Sequence, residues 1–264
     1  MSDVATAEAE ILYEVRDHVA YVTLNRPKSL NAITHGMDDS LARIWDEIDA
    51  DPEIWVVLLS ASGERAFSAG ADISGGVSTR DKRLAIGGGL TGVGGPLRIL
   101  KKPLIAAVQG YVLGAGFELA MCADIIVAAD TAKFSLPEIK VGIIGEAGVV
   151  HRAVRQLPYR VAMSLILTGE RMPAEQALHY GLVNEVVTAD ALTEAAEAWA
   201  RKLTSASPLA QQAAKHAVNA RLGHPLEVAV ATKFDVIEEY ASSHDVVEGQ
   251  AAFVGKRLPE WTGR

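Results

Sequence analysis

Three stretches of this chain, IWVVLLSASG (54–63), PLIAAVQG (103–110) and ADIIVAAD (123–130), are nearly unbroken aliphatic runs closed by turn residues. Runs of this kind, without polar alternation, fit strands covered on both faces, and hence a parallel sheet with a layer on each side. A fourth run, HVAYVTLNRP around 18–27, reads the same way. After it, SLNAITHGMDDSLARIWDEIDAD (29–51) alternates apolar and charged residues at helical spacing. Strand, helix, strand predicts an α/β fold.

From about Glu146 onward helical signals dominate. In PAEQALHYG, Pro173 suits a first helical turn and Gly181 a C-terminal cap. TEAAEAWARKL, SPLAQQAAKHAVNARL and PLEVAVATKFDVIEEYAS then follow closely, so the chain divides into a core at 1–198 and a helical region at 199–264. Residues 86–96, IGGGLTGVGGP, predict a mobile loop, and the segment from Ser74 to Pro96 is expected to line a substrate pocket.

Composition narrows the function. With 33 acidic and 25 basic side chains the formal charge is −8, which repels nucleic acid and anionic membrane surfaces. No nucleic-acid or membrane partner is expected. The longest uncharged segment, 103–117, is shorter than the roughly 20 residues of a membrane span. The N-terminal MSDVATAEAEILYEV lacks the basic-then-apolar pattern of a secretory signal, and a single cysteine, Cys122, allows no internal disulfide. Both fit a cytoplasmic location, with Cys122 as a small buried hydrophobe.

Gly87, Gly89 and Gly92 have GxGxxG spacing, but the preceding RDKRLAI is a poor strand, which argues against a dinucleotide site. AFSAG (66–70) approximates a nucleophile elbow, with Ala66 in the first glycine's place and Ser68 as nucleophile, so a serine hydrolase is one rival. The stronger pattern pairs AFSAGADI (66–73) with GYVLGAGFELA (110–120). Each follows a strand and narrows to Gly and Ala, so backbone N–H groups can face outward, and two such turns together would make an oxyanion hole. The second turn opens a helix at about Gly116, whose dipole would add to the positive potential. Glu118 falls in that first helical turn, where a capping acid of no chemical role is also ordinary. Glu138, in FSLPEIKVG, is a second acid among apolar neighbours after a strand. Together the two point to general acid/base partners holding a water.

In order along the chain, NRPKSLNAI (25–33), AFSAGADI, KKPLIAAVQGYVLGAGFELAMCADI (101–125), FSLPEIKVGIIG (134–145) and LTGERMPAEQALHYGLVNEVV (167–187) resemble the crotonase family, the enoyl-CoA hydratases and isomerases. The resemblance implies a spiral of ββα repeats with a C-terminal helical region that trimerises, as a homotrimer or dimer of trimers. It implies that the N–H groups of Ala71 and Ala115 polarise a thioester carbonyl. Glu118 then deprotonates the water attacking Cβ, and Glu138 protonates Cα. Having both acids favours hydration. Coenzyme A, bound only as part of the substrate, is implied to contact Lys28, Leu30 and the backbone around Ala69, Asp72 and Ile73. The resemblance further implies that Phe253 and Lys256 occupy the region that in this family reaches a neighbouring subunit's coenzyme. No metal or permanent cofactor is implied.

Residues 145–163, beginning GEAGVVHRA, depart from ordinary hydratases and resemble the carnitinyl-CoA dehydratase-like branch. This segment adds a third acid, Glu146, readable as a proton shuttle, a substrate selector or a plain helix-start acid, and His151, which receives no catalytic role. The expected activity is reversible addition of water to a 2-enoyl-CoA through an enolate. The rivals are an enoyl- or dienoyl-CoA isomerase using Glu138, a non-catalytic acyl-CoA-binding protein, and the serine hydrolase.

Overall fold

The computed structural model describes residues 9–74, 100–145 and 148–264. Strands β1 (Ile11–Arg16) and β2 (Val19–Leu24) form an antiparallel hairpin, turned at Asp17 and His18 with φ of 48° and 64°. Helix α1 (His35–Ala50) begins later than its apolar periodicity predicts. Pro27–Ser29 is a 3-10 turn, Leu30 and Asn31 are left-handed, and the Thr34 hydroxyl caps the helix by accepting from Met37 N. The chain continues through β3 (Val56–Ala61), β4 (Ala66–Ser68), β5 (Leu104–Val108), β6 (Tyr111–Leu113), α2 (Ala115–Ala120), β7 (Ile125–Ala129) and β8 (Lys133–Ser135). After the 3-10 segment Pro137–Val141 come α3 (Val149–Gln156), α4 (Tyr159–Thr168), β9 (Met172–Pro173), α5 (Ala174–His179), β10 (Glu185–Val187) and α6 (Leu192–Thr204). Helices α7 (Pro208–Arg221), α8 (Leu226–Ala231), α9 (Asp235–Ala241) and α10 (His244–Gly255) complete it. The run PLEVAVATKFDVIEEYAS is therefore two helices, interrupted where Thr232 and Phe234 are extended.

The larger sheet has the order β1-β2-β3-β5-β7-β10, parallel beyond the first pair. Its strands alternate between two cores. Val57, Leu59, Leu104, Ala106, Val108, Ile126 and Ala128 pack with Leu41, Trp45 and Ile48 of α1, whereas Val56, Leu58, Ile105, Ala107, Val127 and Ala129 pack against Leu192, Ala196 and Ala200 of α6. Successive side chains on a strand point to opposite faces, so burial on both faces accounts for the unbroken aliphatic runs.

The smaller sheet, β4-β6-β8-β9, is parallel across its first three strands. Strands β3, β5 and β7 of the large sheet each lead within a few residues into β4, β6 and β8 of the small one. The bend from β5 to β6 needs Gly110, which has φ +56° and whose added Cβ would lie 2.1 Å from the Arg65 carbonyl oxygen. This repeated step is the expected ββα spiral, complete in β5-β6-α2. Among the described residues no helix is long and apolar enough to cross a membrane.

Candidate active site

Because β4, β6 and β8 are parallel neighbours, the turns leaving their C-terminal ends sit side by side. Those turns hold Ala69–Asp72, Gly114–Ala115 and Leu136–Glu138. Contact between them is close. A Cβ on Gly70 would lie 3.1 Å from the Leu113 carbonyl oxygen and 3.4 Å from Ala115 N, and one on Gly114 would lie 2.8 Å from Glu138 Oε1. Both glycines have positive φ, +102° and +51°, so only glycine fits without strain.

Segment 30–33 laces the first turn in place. Ala69 N donates to Leu30 O (2.9 Å), Ile33 N to Gly70 O (2.8 Å) and Asp72 N to Ile33 O (2.9 Å). With Ile33 bridging Gly70 and Asp72, the N–H of Ala71 faces the other way. Ala115 is the first residue of α2, so its N–H has no intrahelical acceptor, and no side chain caps that helix. The two predicted donors thus come from adjoining turns. Helix α2 has only six residues, which limits the dipole that the sequence reading adds at this turn.

Glu118 and Glu138 approach a common point. A Cβ on Gly145 would be 3.6 Å from Glu118 Oε1 and 3.7 Å from Glu138 Oε1. Glu118 is buried, 4% exposed, in the first turn of α2, and its Oε1 accepts from Val149 N (2.9 Å) at the start of α3. Glu138 lies on the 3-10 segment after β8, with Oε2 buried and unpaired. Burial raises its carboxyl above the ordinary glutamate value.

The positions linked to coenzyme binding divide. Leu30 and Ala69 meet through their backbone bond, and Asp72 and Ile73 follow in the same turn. The Asp72 carboxylate accepts from Ser74 and pairs with Arg26 (2.9 Å), which together hold it down to about 2. Ile73 and Lys28 are exposed. Phe253 and Lys256 sit at the end of α10, also exposed, and no hydrogen bond or ion pair among the described residues joins them to these turns. Glu146 lies outside the described residues, as do Gly87, Gly89, Gly92 and most of the 74–96 segment.

Two positions depart from their sequence readings. Ser68 is fully buried and its hydroxyl donates to Asn31 O (2.8 Å), so it has no free nucleophilic O–H, contrary to the hydrolase reading. Cys122 is half-buried rather than deep in the core, with its thiol donating to Glu118 O (3.2 Å). His151 is an exposed residue of α3. Sequence reasoning missed Asn31 altogether. It is fully buried at φ +53°, accepts from Arg26 N, and donates to Ser62 O and Ala66 O. Its only local signal is that asparagine tolerates the left-handed region. Among the described residues no cluster of side chains could hold a metal ion.

Residues 14–264 match the family model described as enoyl-CoA hydratase/isomerase. The carnitinyl-CoA dehydratase of Citrobacter koseri is 39% identical over 249 residues, covering 92% of this chain and 94% of that one. The (E)-benzylidenesuccinyl-CoA hydratase of Thauera aromatica is 36% identical over 262 residues, covering 96% and 99%. A crystal structure from Novosphingobium aromaticivorans, assigned provisionally to the short chain enoyl-CoA hydratases, superposes with TM-score 0.89 at 62% identity, covering 97% of this chain and all of that one.

Proposed function

The chain belongs to the enoyl-CoA hydratase/isomerase family and has its crotonase fold, and from that premise we propose how its residues act. It is an enzyme of the hydratase/dehydratase type acting on CoA thioesters, as the relatives' activities support. The thioester oxygen rests between the N–H groups of Ala71 and Ala115. Water attacks Cβ, and the double-bond electrons move to Cα and the thioester oxygen, giving an enolate. Glu118 takes the water's proton and Glu138 gives its own to Cα. The two carboxyls end with exchanged protonation and reset by passing a proton across the space they share. Dehydration runs the same steps backwards.

One observation carries this reading: Glu118 Oε1 and Glu138 Oε1 both approach the same point at Gly145, and Glu138, half-buried with its Oε2 enclosed and unpaired, is raised toward its protonated form. A general acid needs that bias, and a general base needs the opposite. Coenzyme A is held as part of the substrate, by Lys28, Leu30 and the Ala69–Ile73 turn. The half-turn from Asp72 is pinned by Arg26, which supports a rigid wall there.

The C-terminal helices, from 199 onward, would form the surface of a homotrimer or dimer of trimers. Phe253, 86% exposed, with Val254 and Leu258, supports such a covered face, and Phe253 and Lys256 would then reach a neighbour's coenzyme. The lone cysteine supports a reducing compartment, the cytoplasm.

The test is crotonyl-CoA, followed by loss of its enoyl-thioester ultraviolet absorbance. Rapid conversion to the 3-hydroxyacyl thioester is expected. Turnover of a 3-enoyl-CoA without hydration would make the protein an isomerase, and binding without turnover of either would make it a silent acyl-CoA binder.

A further inference from the structure

We propose that Ser68 is a positioning residue that sets both halves of the oxyanion hole, an inference that rests on the assignment of Ala71 and Ala115 to that hole. The Ser68 side chain touches both turns at once. Its Oγ accepts from Gly70 N (3.2 Å) while its O–H donates to Asn31 O (2.8 Å). Gly70 is thus held at both ends, its N–H by Ser68 and its C=O by Ile33 N. The Gly70 C=O and the Ala71 N–H belong to one planar trans peptide, so fixing the carbonyl aims the N–H in the opposite direction.

The other half depends on size. A Cβ on Gly116 would lie 2.5 Å from Ser68 Cβ and 2.8 Å from Ser68 Oγ, so the first turn of α2 rests directly on this side chain. Gly116 is the residue after Ala115, and any change in bulk at Ser68 shifts the helix start that carries the second donor. Interiors packed at this density transmit such shifts rather than absorb them. Ser68 is 0% exposed, and its one proton and one acceptor contact are both in use. Its hydroxyl shapes the hole and takes no part in bond making.

The experiment reads the hole itself. Acetoacetyl-CoA, a β-ketoacyl thioester, ionises to an enolate with its own ultraviolet absorbance, and donors around the oxygen raise the enolate-to-keto ratio of the bound ligand. That ratio, with kcat and KM for crotonyl-CoA, is measured in wild type, Ser68→Ala, Ser68→Cys, Ala115→Pro and, as a buried change on α1 away from the hole, Ile48→Val. Ser68→Ala is expected to lower both the ratio and kcat about tenfold, part of the 10²–10³ loss typical of a donor removed outright, with KM within about twofold. Ser68→Cys, which retains a weak donor and acceptor, should recover part of it. Ile48→Val should leave the ratio unchanged.

A wild-type ratio in Ser68→Ala, with the expected loss in Ala115→Pro, overturns the role of Ser68 and leaves the hole assignment standing. No loss in Ala115→Pro overturns both. Equal losses in Ser68→Ala and Ile48→Val would reduce the effect to general softening of the core and also overturn the proposal.

Discussion

Glu118 and Glu138 are the same side chain placed in two different surroundings. Glu118 stands on a regular helix, α2, and a backbone N–H from the start of α3 occupies its Oε1. Glu138 stands on an irregular 3-10 segment with Oε2 buried and unpartnered, and burial raises its carboxyl. One carboxyl oxygen of each comes within 3.6–3.7 Å of the same point beside Gly145, a point the Val149 side chain also crowds, and a held carboxyl beside an unsatisfied one suits a base for water and an acid for Cα. In the proposed mechanism, identical chemistry in sequence takes two roles through local surroundings.

The comparison breaks first at the carboxyls themselves. Glu118→Gln and Glu138→Gln should each lower kcat for crotonyl-CoA by about 10²–10⁴-fold, read from initial rates. They should differ in pH dependence. Wild-type kcat/KM should fall as pH rises through the raised Glu138 value, where the acid loses its proton, and that limb should vanish in Glu138→Gln but persist in whatever activity Glu118→Gln retains. Near-wild-type rates in either variant would remove that carboxyl from the mechanism.

Ala115→Pro comes next. Proline is well accepted at the first position of a helix, so this change deletes the N–H while keeping α2. A loss of about 10²–10³ in kcat, corresponding to about 2.7–4 kcal/mol, is expected with the circular dichroism spectrum unchanged. Gly114→Ala sharpens the contrast more gently. Its Cβ would lie 2.8 Å from Glu138 Oε1 on a backbone of φ +51° and ψ −124°, so it should lower Tm, at about 1–3 kcal/mol of strain, and displace Glu138 while leaving the Glu118–Val149 bond intact.

The smallest effect is on stability. A glutamate whose carboxyl is raised by folding stabilises the fold below its unfolded value, and that contribution is lost as pH rises through its folded value. Glutamine carries no such dependence. The Tm of Glu138→Gln should therefore exceed that of wild type at neutral pH, by on the order of 1 kcal/mol of stability, and the gap should close as pH falls into the carboxylate range. A gap that widens at low pH would contradict the burial argument.

The large sheet was legible in the sequence because burial on both faces leaves an unbroken aliphatic signal in β3, β5 and β7. The turns after β4 and β6 were legible from their Gly and Ala content. Strands β4, β6 and β8 were not, since three residues carry no periodicity, and yet their adjacency is what gathers the site. The start of α1 was placed too early because Leu30 and Asn31 adopt left-handed backbone for the sake of contacts with Ser62, Ala66 and Ala69, more than thirty residues away. Such bonds leave no local pattern. The pairing of Glu118 with Glu138 was legible from two acids in apolar surroundings beside the Gly/Ala turns, with resemblance adding their separate roles, and Ser68 looked like a nucleophile because sequence does not show that its hydroxyl is already bonded.

The central claim is that the two glutamates work as one unit on one water, and the double variant Glu118→Gln/Glu138→Gln tests it most directly. Single-turnover hydration of crotonyl-CoA would be measured for both single variants and the double. If the carboxyls act together, the double variant should be about as slow as the worse single one, because removing either member already disables the unit. Losses that multiply would mean two independent contributions, and would contradict the shared-water mechanism.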